Sequence, residues 1–147
     1  MVRHNVPALR RKHQDEQTSE SVYMMIFFFI DELPKSENKT RRSNHWQQTD
    51  EKKRWRFLVN AASRDPHGNI PHAPEPCEIV MTFFVMRQMD NDNAMARCKV
   101  PLDALRYCGI ITDDNPKVVA KLTASQNIVR HRNEQGVLIE FFPVGEL

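Results

Sequence analysis

The sequence has few glycines, few cysteines and no long apolar run, and each shortage excludes a class of protein. Four glycines among 147 residues leave no Gly-rich loop to cradle phosphates, so we expect neither a P-loop nor a bound nucleotide cofactor. Three cysteines without CxxC spacing fit a reducing cytoplasm better than a disulfide scaffold. The longest apolar run, residues 22 to 30, falls well short of the roughly twenty residues of a membrane span, so no membrane partner is expected.

The length of the chain suits one domain, with enough residues to bury a single core but not two. Residues 1 to 21 are polar, charged and without apolar periodicity, so we expect a flexible N-terminal tail there. Residues 22 to 147 are then expected to form the domain.

Patterns of apolar residues predict six elements in the order β, α, β, α, β, β. The expected helices cover residues 51 to 62, with Asp50 as N-cap, and residues 101 to 108, with Gly109 after the last turn. The expected strands are residues 22 to 30, 78 to 86, 118 to 128 and 137 to 142. The last two strands predict a closing hairpin around the polar turn at residues 130 to 136. The order implies an α/β (α+β) fold, a single domain with two main helices packed on a mixed sheet.

Positive charge is concentrated in residues 39 to 56, where seven Lys and Arg side chains outnumber two acids, in a chain whose overall net charge is only +2. Such a stretch predicts a surface that faces phosphates. Trp46 could stack there on an unpaired base, whereas Trp55 falls on the apolar face of the expected helix and is assigned to the core. A solvated helix face is the plainer interpretation of three of the cations, Lys52, Lys53 and Arg56.

The most informative stretch is residues 90 to 114, which carries acids at both ends. If the second strand continues to Asp92, the side chains of Asp90 and Asp92 project to the same face, because alternate residues of a strand do so. Two carboxylates on one face repel each other unless a cation lies between them, and Mg²⁺ accepts such oxygen ligands. A turn at Gly109 is expected to return Asp114 to the same end of the sheet.

Three converging acids would suit metal-assisted phosphodiester hydrolysis, in which the metal polarises the phosphoryl oxygen and activates a water molecule. Lys99 would add a fixed positive charge beside the developing negative charge. From spacing alone, turn and capping roles explain the DND and TDD sequences equally well, because Asp and Asn favour both positions.

Other metal sites fit the sequence less well. A calcium loop of the EF-hand type is excluded by Met95 and Pro101, which occupy positions that require Gly and Glu. His67, His72 and Cys77 lack the two close pairs of a structural zinc site and lie in a Pro-rich segment. We expect these three side chains to be unligated.

The acid segment carries a longer ordered set of residues: Asp90, Asp92, Asn93, Lys99, Asp103, Ala104, Leu105, Gly109, Asp113 and Asp114. This set resembles the pattern of the RusA family of Holliday-junction resolvases, in which D-x-D-N leads through a Lys to D-A-L, a Gly and a D-D pair. The resemblance extends over about residues 22 to 142, but only the acid segment is specific.

The resemblance implies that Asp90, Asp92 and Asp114 bind the metal and that Lys99 assists catalysis. The expected metal is Mg²⁺, with Mn²⁺ as a possible substitute. The sequence departs from the family in one respect, since Lys99 follows Asp92 by seven residues where four are usual. Arg97 is therefore a rival candidate for the role of the lysine.

The segment that follows the first strand, residues 33 to 46, also resembles a basic, Pro- and HW-containing loop of that family. The resemblance implies that this loop lies near the DNA backbone. Together with the basic helix, the expected DNA-binding residues are Asn38, Lys39, Arg41, Arg42, His45, Lys52, Lys53 and Arg56.

The function that the resemblance implies is a magnesium-dependent endonuclease, a homodimer that resolves four-way junctions or other branched DNA by paired phosphodiester hydrolysis. Its expected setting is the cytoplasm of a bacterium that carries a phage or prophage. Two alternatives stay open: a catalytically inactive branched-DNA-binding protein of the same fold, and a protein-interaction domain in which the acids only cap a helix.

Overall fold

The computed structural model describes residues 25 to 36 and 44 to 144 of the chain. These residues form a single α+β domain with a four-stranded mixed sheet, which confirms the predicted fold class at this level. The expected flexible tail lies outside the described residues. Within the described ranges, no helix has the length and apolar character needed to cross a bilayer.

The elements follow one another as β1 (Ile26–Ile30), α1 (His45–Ser63), β2 (Cys77–Val85), α2 (Asn91–Ala96), α3 (Lys99–Tyr107), β3 (Val119–Ile128), a 3-10 turn (Arg132–Glu134) and β4 (Gly136–Pro143). The predicted strands and the two predicted main helices are all represented, and α2 is a short additional helix.

The strands lie in the order β1-β4-β2-β3, with β4 antiparallel to both of its neighbours and β3 parallel to β2. The predicted hairpin between the last two strands is therefore wrong. Its two strands exist, but β2 lies between them. Burial explains the arrangement, because six of the eight residues of β4 are buried and suit the centre of the sheet, whereas β3 is largely exposed and takes the edge.

Helix α1 begins six residues earlier than predicted, at His45. Asn44 is its N-cap and accepts a hydrogen bond from the backbone N–H of Gln47 at 2.9 Å, while the Gln47 side chain accepts from the backbone N–H of Asn44 at 3.1 Å. This reciprocal capping box satisfies two N–H groups that the helix leaves unpaired. Asp50 is therefore an interior residue of α1 and not its cap.

The helices cover one face of the sheet and complete the main core. Trp55 and Val59 of α1 are fully buried with Ile79 and Phe83 of β2, which confirms the assignment of Trp55 to the core. Most of the energy that holds α1 to the sheet comes from burial of such side chains, at about 1.5 to 3 kcal/mol for each large one. The opposite face of the sheet carries a smaller cluster formed by Phe29, Phe84 and Leu138.

The connection between the parallel strands β2 and β3 is a crossover made of α2 and α3, as parallel pairing requires. Pro101 is the third residue of α3 and is tolerated there, because an N–H in the first turn has no partner inside the helix. Gly109, with φ of 80°, follows the last turn, and the backbone N–H of Ile110 donates to the carbonyl of Leu105. This left-handed glycine ends α3 where the sequence predicted.

Candidate functional site

Asp90 and Asp92 lie at the start of a helix and not at the end of a strand. Strand β2 ends at Val85, and Asp90 is the N-cap of α2, with Asp92 in the first turn. The predicted extension of the strand to Asp92 is therefore wrong. Asp92 lies instead in the first turn of a helix, where the helix dipole favours a negative charge.

The two carboxylates remain available at this helix start. Asp90 makes no side-chain capping hydrogen bond, and both side chains are exposed. Neither carboxylate has a hydrogen-bond or ion-pair partner among the described residues. The helix start at Asp90 and Asp92, called the acidic helix start below, is thus free to take a cationic ligand.

Asp114 lies near the beginning of β3, at the opposite end of the parallel strand pair from Asp90. β3 begins at Val119 beside Cys77, the first residue of β2, whereas Asp90 follows the last residue of β2. A crossover between parallel strands returns the chain to the start of the next strand. The expected return of Asp114 to the end of the sheet that carries Asp90 is therefore wrong for a single chain.

The separation can be gauged along β3. Gln126 forms hydrogen bonds of 2.8 and 2.9 Å with the backbone of Met89. Asp90, the next residue, therefore lies close to the position of Gln126 along β3. From Gln126 back to Val119 the strand covers roughly 23 Å at about 3.3 Å per residue. Accordingly, no group of three or more His, Cys, Asp or Glu side chains within residues 25 to 36 and 44 to 144 is placed to hold a metal ion.

Asp113 and Asp114 play different parts in the turn before β3. Asp113 accepts hydrogen bonds from the backbone N–H of Asp114 at 2.8 Å and from the side chain of Asn115 at 2.9 Å. These hydrogen bonds, the backbone one first, lower the pKa of Asp113. The turn interpretation of the TDD sequence thus applies to Asp113, while the side chain of Asp114 is exposed.

The two candidates for the catalytic cation have different surroundings. Lys99 is the first residue of α3, is exposed, and forms no ion pair within the described part of the chain. Arg97 is half-buried, and its guanidinium donates to the backbone carbonyl of Pro34 at 3.3 Å. Burial lowers the pKa of Arg97. Lys99 is therefore the cation that a ligand can reach, whereas Arg97 connects the crossover to the segment after β1.

Half of the basic loop predicted to contact DNA, residues 37 to 43, falls outside the described residues, as do four of its predicted contacts, Asn38, Lys39, Arg41 and Arg42. Its described flanks are informative. Ile30 pairs with Val137, which pairs with Phe83, so β1 and β2 have their C-terminal ends on the same side of the sheet. Residues 31 to 36 therefore leave the sheet from the same side as the segment that leads from β2 to Asp90.

His45 and Trp46 are the first two residues of α1 and are exposed, Trp46 by 75%. Their rings lie edge to face with centroids 5.8 Å apart. The exposed indole of Trp46 is compatible with the predicted stacking on a base.

Helices α1 and α3 enclose a groove of about 220 Å³, called the α1–α3 groove below. Among the predicted DNA-binding residues, Lys52 and Arg56 line it, and Lys53 is exposed on α1. The described residues that line the groove are Lys52, Arg56, Val100, Asp103, Ala104, Arg106 and Tyr107.

Two residues of this groove, Arg106 and Tyr107, were not predicted as binding residues. A signal was present, since Lys99, Asp103 and Arg106 are spaced by four and three residues and therefore share one face of α3. That polar face becomes meaningful only when α3 packs beside the basic side of α1, and sequence spacing does not reveal which helices are neighbours.

No protein-family model matches the chain, and a comparison with curated proteins finds no match. By fold and site, the chain is an α+β domain that carries an exposed acidic helix start and a basic groove between two helices.

Proposed function

We propose that the protein is a magnesium-dependent, structure-selective endonuclease that binds four-way junctions or other branched DNA and hydrolyses phosphodiesters in paired strands. The observation that carries the proposal is the acidic helix start, whose exposed carboxylates have no partner among the described residues. The RusA-like order of the acids, with the exposed Lys99 between them, supports the same reading.

DNA would be held mainly through its phosphates. Lys52, Lys53 and Arg56 lie on α1 on or beside the α1–α3 groove. Binding through such cations releases counterions, so the affinity is expected to fall steeply with salt concentration.

The donor chemistry of the acids suits Mg²⁺, which prefers carboxylate oxygens, but one chain does not bring all three acids together. A two-fold axis perpendicular to the strands reverses the direction of the second protomer. The partner's Asp114 then lies at the end that carries Asp90 and Asp92. We therefore propose a homodimer with two acid sites, each drawing on both protomers, which also matches the two-fold symmetry of a four-way junction. Bound Mg²⁺ would polarise a phosphoryl oxygen and lower the pKa of a water molecule.

A second candidate is a branched-DNA-binding protein of the same fold without nuclease activity. The distance between Asp90 and Asp114 within one chain favours it, since the described residues of a single chain form no three-acid site.

The test is cleavage of a labelled synthetic four-way junction in the presence of Mg²⁺ or of a chelator. The proteins compared are the wild type, Asp92→Asn, and Asp50→Asn as a matched control, because Asp50 is an exposed acid on α1. Paired symmetric nicks that need Mg²⁺, vanish in Asp92→Asn and persist in Asp50→Asn support the proposal. Salt-dependent binding without nicks selects the inactive DNA-binding protein, and no binding at all leaves the protein-interaction domain.

A further inference from the structure

We propose that the α1–α3 groove binds one unpaired nucleotide of a DNA strand, with its phosphate among Lys52, Arg56 and Arg106 and its base on the ring of Tyr107. This inference rests on the proposed binding of DNA and is independent of cleavage. It adds two residues of α3 to a DNA-binding surface that the sequence assigned to α1 and to the basic loop before it.

The charge of the groove favours an anion. Among the residues that the structure describes, three cations, Lys52, Arg56 and Arg106, line it against a single acid, Asp103. Cations brought together from two helices repel one another, and a phosphate placed between them relieves that repulsion while accepting several charge-assisted hydrogen bonds. Arg106 is otherwise engaged only loosely, with 3.8 Å between its guanidinium and the Asp113 carboxylate.

The size of the groove suits the phosphate end of that nucleotide, with the base outside on Tyr107. Its volume of about 220 Å³ lies below the roughly 300 to 1,000 Å³ of pockets that enclose drug-sized ligands. A phosphate with part of its sugar fits such a space, and the base is left outside.

Tyr107 supplies a surface for that base. Its side chain is 65% exposed although it lines the groove, and the guanidinium of Arg56 lies 4.0 Å from the centre of its ring. Arg56 covers one face of the ring, and the exposed part of the ring offers a surface for stacking. Stacking of bases on aromatic rings is tolerant of sequence and is typical of proteins that bind single strands.

The spacing of the two helices is fixed beside these residues. The thiol of Cys108, directly after α3, donates to the backbone carbonyl of Arg56 on α1 at 3.5 Å. Arg56 and Tyr107 are therefore held in position before a ligand arrives, which reduces the entropic cost of binding.

The test uses a fluorescein-labelled oligothymidylate of about twelve nucleotides and measures binding by anisotropy over a range of salt concentrations. Tyr107→Ala is expected to weaken binding roughly 5- to 100-fold, whereas Tyr107→Phe, which keeps the ring, binds like the wild type. Arg106→Gln is expected to weaken binding and to reduce the salt slope by about 0.7. Arg130→Gln, which removes an exposed cation from the β3–β4 connection, is the matched control and should leave binding near the wild-type value.

Asp103→Asn gives a test of opposite sign. Asp103 is the only carboxylate among the described residues that line the groove. Its removal should tighten binding of the oligonucleotide, an outcome that a loss of folding cannot imitate. Equal binding by Asp103→Asn and the wild type, together with unchanged binding by Tyr107→Ala, would overturn the proposal.

Competition separates a nucleic acid from free phosphate, because both offer the same anionic group. Inorganic phosphate and thymidine monophosphate, added at the same phosphate concentration as the oligonucleotide, should displace it poorly. Displacement by inorganic phosphate as effective as that by unlabelled oligonucleotide would identify a site for free phosphate and overturn the proposal.

The proposed function and this inference fail in different ways. A wild type that binds neither the oligonucleotide nor a four-way junction overturns both. A wild type that binds the junction, with groove variants that bind the oligonucleotide normally, overturns the groove alone. Binding that responds to the groove variants without Mg²⁺-dependent cleavage supports the groove and overturns only the nuclease proposal.

Discussion

Gln126 holds the backbone of Met89 through two hydrogen bonds across the parallel strand pair. The N–H of Met89 donates to Gln126 Oε1 at 2.8 Å, and Gln126 Nε2 donates to the carbonyl of Met89 at 2.9 Å. Met89 directly precedes Asp90, the N-cap of α2. A side chain on the edge strand β3 thus fixes the segment that presents the acidic helix start.

Gln126→Glu should disturb the acidic helix start. An ionised carboxylate only accepts hydrogen bonds, so the carbonyl of Met89 loses its donor and faces a negative charge. The free energy of unfolding should fall by about 1 to 3 kcal/mol, and Mg²⁺-dependent cleavage of a four-way junction should fall more than junction binding. Urea denaturation and the cleavage assay measure the two effects. Asn127→Asp makes the same chemical change at an exposed neighbour, and an equal effect there would contradict this role of Gln126.

A mixture of Asp90→Asn and Asp114→Asn protein should recover cleavage that each variant lacks alone. In a mixed dimer, one of the two proposed sites takes Asp90 from one protomer and the partner's Asp114, and is therefore intact. Refolding the two variants together and assaying the junction should yield nicks in one strand.

If each site were built within one chain, both sites of the mixed dimer would carry a substitution, and mixing would restore nothing. A mixture of Asp90→Asn with Asp92→Asn is the control, since these acids share one acidic helix start and leave no intact site in either arrangement. Recovery in the first mixture and not in the second supports the two-protomer site.

Gly136→Ala should be severely destabilising. A Cβ at Gly136 would lie closer than 3.0 Å to the backbone carbonyl oxygen of Ile30 and to the ring of Phe29, and the backbone atom cannot move aside cheaply. We expect a loss of about 3 kcal/mol or more in the free energy of unfolding, measured in urea. Gly109→Ala is the comparison, because a Cβ there would meet no atom of the described residues within 4 Å and only the φ of 80° is strained. Its expected loss is about 1 to 2 kcal/mol, and a larger loss at Gly109 than at Gly136 would contradict the packing argument.

The stability of the protein should fall above about pH 9. Burial raises the pKa of the Cys77 thiol to about 11 and that of the Cys98 thiol to about 12. Between about pH 8.5 and 11, these thiols therefore lose their protons in the unfolded state but keep them in the folded state. Each thiol then lowers the free energy of unfolding by up to about 1.4 kcal/mol per pH unit. Urea denaturation from pH 7 to 10 measures this slope.

Cys98→Ala should flatten the pH dependence even though it lowers stability at pH 7, because it removes the titrating group. Cys108→Ala is the weaker comparison. Burial also raises the pKa of Cys108, but this thiol is only half-buried, and a hydrogen bond with Asn60 and the charges of Arg56 and Arg64 oppose the rise. A slope that Cys98→Ala leaves unchanged would assign the alkaline loss of stability to other groups.

Local patterns predicted most of the elements. The apolar run at residues 78 to 86 matches β2 (Cys77–Val85) within one residue, and Gly109 marks the end of α3 because a left-handed residue is needed there. Trp55 could be assigned to the core because the periodicity of a long amphipathic helix records its buried face. These features depend on residues that are near one another in the sequence.

What the sequence could not predict depends on distant residues. Asn44 and Asp50 are both good N-caps, and the choice between them was missed because the first turn of α1 has no apolar pattern. The direction of β3 relative to β2 determines which acids lie close together. The residues of β3 alone do not indicate which strand it pairs with or in which direction. The α1–α3 groove likewise exists only after two helices, each with an ordinary polar face, have packed together.

The position of β4 has a consequence for how the protein is made. Residues 136 to 143 leave the ribosome after the other three described strands, yet they occupy the gap between β1 and β2. Phe141 pairs with Ile26, 115 positions earlier in the chain. During synthesis, the backbone N–H and C=O groups of β1 and of one side of β2 therefore stay unpaired until β4 is made. Unpaired strand edges of this kind are prone to pair with other chains. Contacts this distant in sequence also slow folding. The nascent chain is therefore prone to aggregation until β4 has been made and has paired with β1 and β2.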